Sequence, residues 1–238
     1  MSALEISGLR KTFGGVIALD GVDLSIDPDE ILGIVGPNGS GKTTLFNVVT
    51  GALKPTGGSV HWRGEDISGL PAHRIARKGL VRTFQQAMSF PALSVRENIL
   101  IAHEHGAVAA DRKGMSTSEI LRFVGLEGRE NEIAGSMPFG NLRRLGLALA
   151  LAARPILLLL DEPAAGLNDN ETEQLAEIIL QLPDRGVGVC LIDHDMNLIA
   201  SICRQLVVLD FGTKIAEGPP DKVLNDKKVV EVYLGAPT

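Results

Sequence analysis

A glycine-rich loop between an apolar segment and a helical segment constrains this chain more than any other feature of its sequence. Residues 30–35 end in the aliphatic run ILGIV, which predicts a buried strand, and residues 42–50 have helical character and stop at Gly51. The residues between them fit the phosphate-loop pattern G-x-x-x-x-G-K-[ST]. They are Gly36, Pro37, Asn38, Gly39, Ser40, Gly41, Lys42 and Thr43, followed by Thr44. A preceding strand and a following helix are the context in which this pattern binds phosphate.

Each residue type in the loop has a reason in phosphate chemistry. Glycines let the backbone turn its N–H groups towards an anion, because no Cβ is in the way. The helix that follows points its positive end at the same anion. Lys42 supplies a point charge for the β- and γ-phosphates, and the Thr43 hydroxyl is a ligand for Mg²⁺. The sequence therefore predicts a site for a nucleoside triphosphate with Mg²⁺.

Two further polar clusters follow aliphatic strands. Asp161 and Glu162 come directly after the run at residues 156–160, and His194 follows a second aliphatic strand. The carboxyl ends of buried parallel strands are where open α/β sheets bind ligands. We expect Asp161 to hold Mg²⁺, directly or through water, opposite Thr43. We expect Glu162 to act as a general base on the attacking water, and a neutral His194 imidazole to contact the γ-phosphate and help orient that water.

The alternation of predicted strands and helices indicates an α/β fold of the nucleotide-binding type. Short strands and turns in the first third predict a small antiparallel part. The middle of the chain has few β-branched residues and helical spacing, and it includes a long helix predicted over residues 141–153. We therefore expect one domain, 1–238, with a core of residues 1–85 and 156–238 and a mainly helical subdomain of residues 86–155.

Composition argues against several classes of protein. The 238 residues carry a net charge of −6 and 4% of them are aromatic, which argues against a nucleic-acid-binding surface. Cys190 and Cys203 are too few for a disulfide framework, so we expect two core thiols. We expect no secretory signal, and Arg154 and Pro155 interrupt the most apolar stretch before it reaches the ~20 residues of a membrane span. If the protein serves a membrane, we expect a peripheral subunit.

With these motifs in this order, the chain resembles the ATP-binding subunits of ABC transporters, and the resemblance covers nearly its whole length. In this family the acidic pair supplies the magnesium carboxylate and the catalytic base. Phe13 matches the aromatic residue that stacks on adenine. Gln85 matches the glutamine that links the Mg²⁺ site to the membrane domain, so the resemblance adds it to the Mg²⁺ and nucleotide contacts. Residues 165–168 match the loop that crosses to the partner subunit, and His194 matches the switch histidine.

Three stretches look like the branched-chain amino acid importers and, within them, like the longer of two ATPase subunits. They are residues 13–19, 161–168 and 229–235. The resemblance implies ATP-powered import of branched-chain or other hydrophobic amino acids, with ATP and Mg²⁺ as cofactors. Importers of urea or short amides have similar endings and are an alternative. A soluble ABC ATPase of DNA repair or translation is another, although such chains are usually longer.

The resemblance also implies partners and a location. A second ATPase subunit, two transmembrane permease subunits and, indirectly, an extracytoplasmic substrate-binding protein are expected, and nucleic acid is not. The chain would lie at the cytoplasmic face of the inner membrane. Closure of two ATPase subunits would pull on the permeases through the segment after Gln85, at roughly residues 87–98.

One stretch departs from the family pattern. ABC ATPases carry Leu-Ser-Gly-Gly-Gln before a long helix, and the matching residues here are Met137, Pro138, Phe139, Gly140 and Asn141. Gly140 lies 21 positions before Asp161, which is the family spacing. The family serine binds the γ-phosphate held by the opposite subunit, and Pro138 has neither a hydroxyl nor an N–H for that contact. Loss of one charge-assisted hydrogen bond costs about 1.5–3 kcal/mol.

We therefore hypothesise that the chain pairs with a different ATPase chain. The partner's signature would complete this chain's nucleotide site, while Pro138 would leave a weak site against the partner's phosphate loop. The N–H groups of Gly140 and Asn141 can still face an anion from the helix start. Leu149 also replaces an arginine that is usual in this helix. Two alternatives stay open: Ser136 takes over after a local rearrangement, or the chain is a largely non-hydrolysing regulatory subunit.

Overall fold

The apolar runs of the sequence form the strands of two sheets. The computed structural model describes residues 2–83, 89–107 and 114–234. Its strands are β1 (Leu4–Phe13), β2 (Val16–Ile26), β3 (Ile31–Val35), β4 (Gly57–Trp62), β5 (Glu65–Asp66), β6 (Leu80–Arg82), β7 (Leu157–Asp161), β8 (Gly188–Ile192), β9 (Gln205–Asp210) and β10 (Thr213–Gly218). Its α-helices are α1 (Lys42–Val49), α2 (Ala72–Arg77), α3 (Val95–His105), α4 (Thr117–Phe123), α5 (Phe139–Ala152), α6 (Asp169–Leu180), α7 (Met196–Ile202), α8 (Pro220–Val223) and α9 (Lys227–Leu234).

Six of the described strands form a mixed sheet in the order β10-β9-β3-β8-β7-β6. Strand β3 pairs in parallel with β8 and β9, and β7 pairs in parallel with β6 and β8. Strand β10 runs antiparallel to β9. The other four described strands form an antiparallel sheet in the order β2-β1-β4-β5. The predicted α/β fold with an antiparallel part is thus confirmed, whereas β10, α8 and α9 were not predicted.

Strands β3, β7 and β8 of the mixed sheet are buried on both faces, which explains why they are continuous aliphatic runs. Successive side chains point to opposite faces and enter two different hydrophobic cores. Leu158 and Leu160 of β7 belong to the core formed with helices α3 to α7. Leu157 and Leu159 belong to the core formed with the antiparallel sheet and α1. None of the four is more than 1% exposed, so β7 is fixed from both sides.

The strand order β3-β8-β7 brings three loops to one edge of the sheet. Strand β3 ends at Val35 before the glycine-rich loop, β7 ends at Asp161, and β8 ends at Ile192. Because these strands are parallel, their carboxyl ends share that edge. Residues that are distant in the sequence therefore meet there.

The described part of the middle segment contains α3, α4 and α5. Helices α3 and α4 each start with a capping box, formed by Ser94 with Glu97 and by Ser116 with Glu119. Helix α5 begins two residues before the predicted start at 141. The physical reason is Pro138, whose φ of −56° and ψ of 152° suit the position before a helix.

The two cysteines agree with the prediction made from composition. Cys190 and Cys203 are free and buried, which confirms the prediction of core thiols. Burial raises the pKa of both thiols, that of Cys203 to about 12. None of the helices in the described ranges combines the length and the apolar character needed to cross a bilayer.

Strand β3 has no room for a side chain at Gly33. A Cβ there would lie 2.5 Å from Leu206 Cδ2 and 2.9 Å from Cys203 Sγ. We therefore expect Gly33→Ala to lower the free energy of unfolding by about 1–3 kcal/mol, the usual cost of overpacking. Gly15→Ala is the matched control, since no atom lies within 4 Å of its Cβ position. Urea unfolding without nucleotide tests this, and equal losses in the two variants would contradict the packing described.

Candidate functional site

The glycine-rich loop lies against both sheets at points where no side chain fits. At Gly36, φ is 150°, and a Cβ would lie 2.1 Å from the carbonyl oxygen of Leu209 in β9. At Gly41, φ is 107°, and a Cβ would lie 2.6 Å from the carbonyl oxygen of Ala18 in β2. Another residue at either position would have to displace backbone. The path of the loop between β3 and α1 is therefore fixed by its neighbours.

Helix α1 begins at Lys42 with a terminus suited to an anion. No side chain caps it, and its first turn contains no acidic residue. The unsatisfied N–H groups and the helix dipole favour negative charge at such a terminus. Thr43 is exposed in this first turn, and Thr44 is partly exposed.

The Lys42 ammonium is buried inside the loop, and the residue is 6% exposed. Its Nζ donates hydrogen bonds to the carbonyl oxygens of Gly36, at 2.6 Å, and Pro37, at 2.9 Å. Burial lowers the pKa of this ammonium, and the charges of Glu162 and Asp161 partly offset that effect. Phosphate oxygens can replace the two carbonyls as partners of the same ammonium.

A cavity of about 160 Å³ joins this loop to the residues that follow β7 and β8. It is lined by Ala18, Asn38, Gly39, Gly41, Lys42, Thr43, Thr44, Glu162 and His194. Pro37 and Ser40, from the same loop, line a second cavity of about 290 Å³ beside β9. Three motifs that are far apart in the sequence therefore meet in the first cavity.

Glu162 and His194 form a hydrogen-bonded pair at this cavity. His194 Nε2 lies 2.7 Å from Glu162 Oε1. Glu162 has a φ of 48°, a left-handed conformation that is costly for a residue with a Cβ. Its N–H donates to the carbonyl oxygen of Ile192 at 2.7 Å, and this bond ties it to the end of β8. The geometry suits a general base with an imidazole beside it.

Asp161 is not among the residues that line this cavity. Its Oδ2 pairs with Arg82 Nη2 at 2.5 Å, and the side chains are 4% and 7% exposed. Arg82 Nη1 also donates to Asn47 Oδ1 at 2.6 Å, and the guanidinium lies 5.6 Å from the centroid of the Phe46 ring. Arg82 thus links β6 and β7 to α1. The sequence pattern did not single it out, although a lone cation in an apolar strand is a sign of a buried partner.

The donors present fit a magnesium ion. Asp161 Oδ1 is buried and has no hydrogen-bond partner. Mg²⁺ in nucleotide sites takes one or two carboxylates together with phosphate oxygens and water. An unsatisfied carboxylate oxygen at Asp161 and an exposed hydroxyl at Thr43 match that donor set.

The described structure does not bring Phe13 to the cavity. Phe13 lies at the end of β1 and is 44% exposed, and Val16 and Ile17 across the turn are also exposed. Phe13 is absent from the cavity lining, although Ala18 of the following strand is part of it. Gln85 lies outside the described residues.

The departure from the family signature forms the start of α5. The residues are Pro138, at the N-cap position without a side-chain hydrogen bond, and then Phe139, Gly140 and Asn141. A Cβ on Gly140 would lie 2.2 Å from Glu171 Oε1, so this carboxylate covers the helix start. A Cβ on Gly166 would lie 2.9 Å from the ring of Phe139, which is 51% exposed. The signature stretch therefore contacts the loop after β7 and the start of α6.

Buried charge is concentrated at this edge of the sheet. Across the described residues, the charged residues that are at most 6% exposed are Lys42, Asp161 and Asp193. Charged residues are almost never buried in this way unless they are paired. Asp193 was not predicted as a functional residue, and its position between a buried strand and His194 is the signal that could have found it. This concentration of buried charge supports the same edge of the sheet as the candidate site.

Known proteins are similar to this chain in both sequence and fold. A sequence profile described as ABC transporter matches residues 19–165, and one described as branched-chain amino acid ATP-binding cassette transporter matches residues 213–237. The chain is 41% identical to the high-affinity branched-chain amino acid transport ATP-binding protein BraF of Pseudomonas aeruginosa. That similarity covers 98% of this chain and 97% of BraF.

Two solved structures are similar to the whole fold. One is an ATP-binding cassette of an ABC transporter in its ADP conformation, with a TM-score of 0.89, 31% identity and 99% of each chain covered. The other is a dimeric, post-hydrolysis ATP-binding cassette bound to ADP and Pi. It has a TM-score of 0.77 and 26% identity, and the match covers 91% of this chain and 98% of that one.

The buried ion pair gives a stability prediction. Arg82→Met leaves the Asp161 carboxylate buried without its cation, and we expect it to lower the free energy of unfolding by about 3–5 kcal/mol. Arg122→Met removes an ion pair whose side chains are 68% and 63% exposed, so it should cost less than about 1 kcal/mol. Thermal unfolding of both variants checks this. A loss for Arg82→Met no larger than that for Arg122→Met would contradict the pairing.

Proposed function

The chain belongs to the family of ABC transporter ATP-binding subunits, and from this premise we propose that it powers the import of branched-chain or other hydrophobic amino acids. It binds ATP and hydrolyses it, as this family does. Similarity to BraF over nearly the full length of both proteins supports the cargo class. The separate match of residues 213–237 to a branched-chain transporter profile supports it too.

The observation that carries the proposed chemistry is the cavity shared by Lys42, Glu162 and His194. The loop N–H groups and the start of α1 bind the β- and γ-phosphates. Lys42 exchanges its two carbonyl partners for phosphate oxygens, and Phe13 stacks on the adenine. The site is preorganised, because its backbone is fixed before the nucleotide arrives.

Hydrolysis is carried out by the pair at the end of β7 and β8. Glu162 accepts the proton of the attacking water as the water oxygen bonds to the γ-phosphorus. The bond from that phosphorus to the β–γ bridging oxygen breaks, so ADP leaves and phosphate is the second product. His194 holds the Glu162 carboxylate through the 2.7 Å contact. In our proposal the same imidazole also contacts the γ-phosphate. Thr43, Asp161 and Gln85 are the residues that would hold Mg²⁺, which when bound neutralises part of the phosphate charge.

We propose a peripheral position on the cytoplasmic face of the inner membrane, with two permease subunits and an indirect link to an extracytoplasmic binding protein. Membrane association itself follows from the family. The core of residues 1–85 and 156–238 would bind nucleotide, and the helical subdomain of residues 86–155 would transmit closure to the permeases. The segment from 87 to 98 is only partly described.

We also propose that two cassettes close over the nucleotides and that the second cassette is a different chain. Cassettes of this kind form dimers. Pro138 supports an unlike partner, because it offers no hydrogen bond to the γ-phosphate of the opposite site. The Glu171 carboxylate beside Gly140 also places negative charge where that phosphate would arrive.

Removing the proposed base separates hydrolysis from binding. We expect Glu162→Gln to bind ATP as the unaltered chain does and to lower turnover by about 10²-fold or more, because an amide cannot accept the proton. Glu177→Gln, on the exposed face of α6, is the matched control and should turn over normally. Steady-state ATPase assays alongside nucleotide titration measure both quantities. Normal turnover in Glu162→Gln would exclude it as the base.

Restoring a hydroxyl at position 138 tests the proposal that this chain pairs with a different ATPase chain. In an assay with the partner ATPase chain, Pro138→Ser should raise turnover about tenfold or more, the effect of regaining a hydrogen bond to a charged group. Pro183→Ser, at the start of a short 3₁₀ helix, controls for loss of proline alone. Equal rates in the two variants would count against a weak signature site.

A further inference from the structure

The buried carboxylate of Asp193 joins the loops that follow two adjacent strands. Its Oδ1 accepts hydrogen bonds from the N–H groups of His194, at 2.7 Å, and Asp195, at 3.0 Å. Its Oδ2 accepts the N–H of Ala164 at 3.2 Å. Ala164 lies two residues after Glu162, so the Asp193 side chain holds both the loop that carries Glu162 and the loop that carries His194. A carboxylate suits this position because both of its oxygens are acceptors.

Arg143 reaches the same place from the second turn of α5. Its Nη2 donates to the carbonyl oxygen of Ala165 at 3.1 Å, and its guanidinium lies 5.0 Å from the centroid of the Phe139 ring. Burial lowers the pKa of Arg143, while the nearby charges of Asp193 and Glu162 favour its protonated form. The guanidinium is therefore held among the signature stretch, the loop after β7 and two carboxylates.

We propose that Arg143 and Asp193 are positioning residues that make hydrolysis at Glu162 and His194 depend on the position of α5. This deepens the proposed function and rests on it. The start of α5 is the surface predicted to meet the nucleotide of the opposite cassette. A shift of that helix carries Arg143 and the Ala165 carbonyl with it, and Asp193 passes the shift to the main chain of His194.

The arrangement separates hydrolysis from nucleotide binding. The hydrogen bonds described above for Arg143 and Asp193 lead to the loops after β7 and β8. We therefore expect the glycine-rich loop and Lys42 to bind ATP whatever the position of α5. Only the Glu162–His194 pair responds, so a cassette with a displaced α5 holds ATP without hydrolysing it.

The test uses the full chain assembled with its partner subunits. Asp193→Asn and Arg143→Met should each lower kcat about tenfold or more while ATP affinity stays within about twofold, a loss confined to the transition state. The double variant should fall no further than the worse single variant, because the two residues act as one unit. Arg143→Lys, which keeps the charge, should recover part of kcat.

Two matched controls replace residues of the same types elsewhere in the chain. Asp195→Asn keeps the one oxygen that accepts the N–H groups of Asn197 and Leu198 and caps α7. Asparagine caps helices about as well as aspartate, so this variant should leave both the melting temperature and kcat nearly unchanged. Arg185→Met removes another guanidinium that lies over a ring, 4.3 Å from the Phe123 centroid. It should also leave kcat unchanged.

Three results would overturn the proposal: ATP affinity that falls in step with kcat, losses that multiply in the double variant, or normal turnover in both single variants. A Glu162→Gln variant in the same series distinguishes failure of the proposed catalytic base from failure of the positioning role alone. If it turns over normally, the proposed role of Glu162 as the base fails and the positioning role falls with it. If it is inactive while Asp193→Asn and Arg143→Met turn over normally, the positioning role alone fails.

Discussion

Charge buried at the carboxyl edge of the mixed sheet is the constraint on which the rest of the structure depends. Lys42, Asp161 and Asp193 are all buried. An isolated buried ion lowers the stability of the folded state by several kcal/mol. Each is therefore matched by the protein itself: Lys42 by loop carbonyls, Asp161 by Arg82, and Asp193 by three N–H groups. These pairings hold the loops after β3, β7 and β8 in one relative arrangement.

This arrangement turns a sheet edge into a site for phosphate chemistry. The aliphatic strands below it are buried on both faces, so the edge cannot adjust freely. A fixed edge presents the N–H groups of the loop, the Lys42 ammonium and the Glu162 carboxylate to one cavity. Polar groups that are already oriented stabilise developing charge without reorganising during the reaction. The strained φ of Glu162 is maintained by the same surroundings.

Much of the fold and of the phosphate loop could be predicted from the sequence, because the patterns that indicate them lie within short segments of the chain. The helix predicted over residues 141–153 is α5 (Phe139–Ala152), and the loop residues are set by a pattern with a direct steric cause. The partner of Asp161 could not be predicted, because Arg82 lies 79 positions away and only strand order brings it near. The roles of Asp193 and Arg143 also depend on tertiary contacts. The roles of Phe13, Gln85 and the signature stretch remain predictions carried by the family resemblance.

The central claim is that this chain binds ATP with its own residues but needs the signature stretch of a second cassette to hydrolyse it. The most direct measurement follows ATP affinity and Mg²⁺-dependent turnover of the purified chain across its own concentration range. It is then repeated with a cassette that carries Leu-Ser-Gly-Gly-Gln. The predicted result is an ATP affinity that does not change with protein concentration and little turnover for the chain alone. Turnover should rise when the second cassette is added. Turnover per chain that stays constant on dilution, and is unchanged by the second cassette, would contradict it.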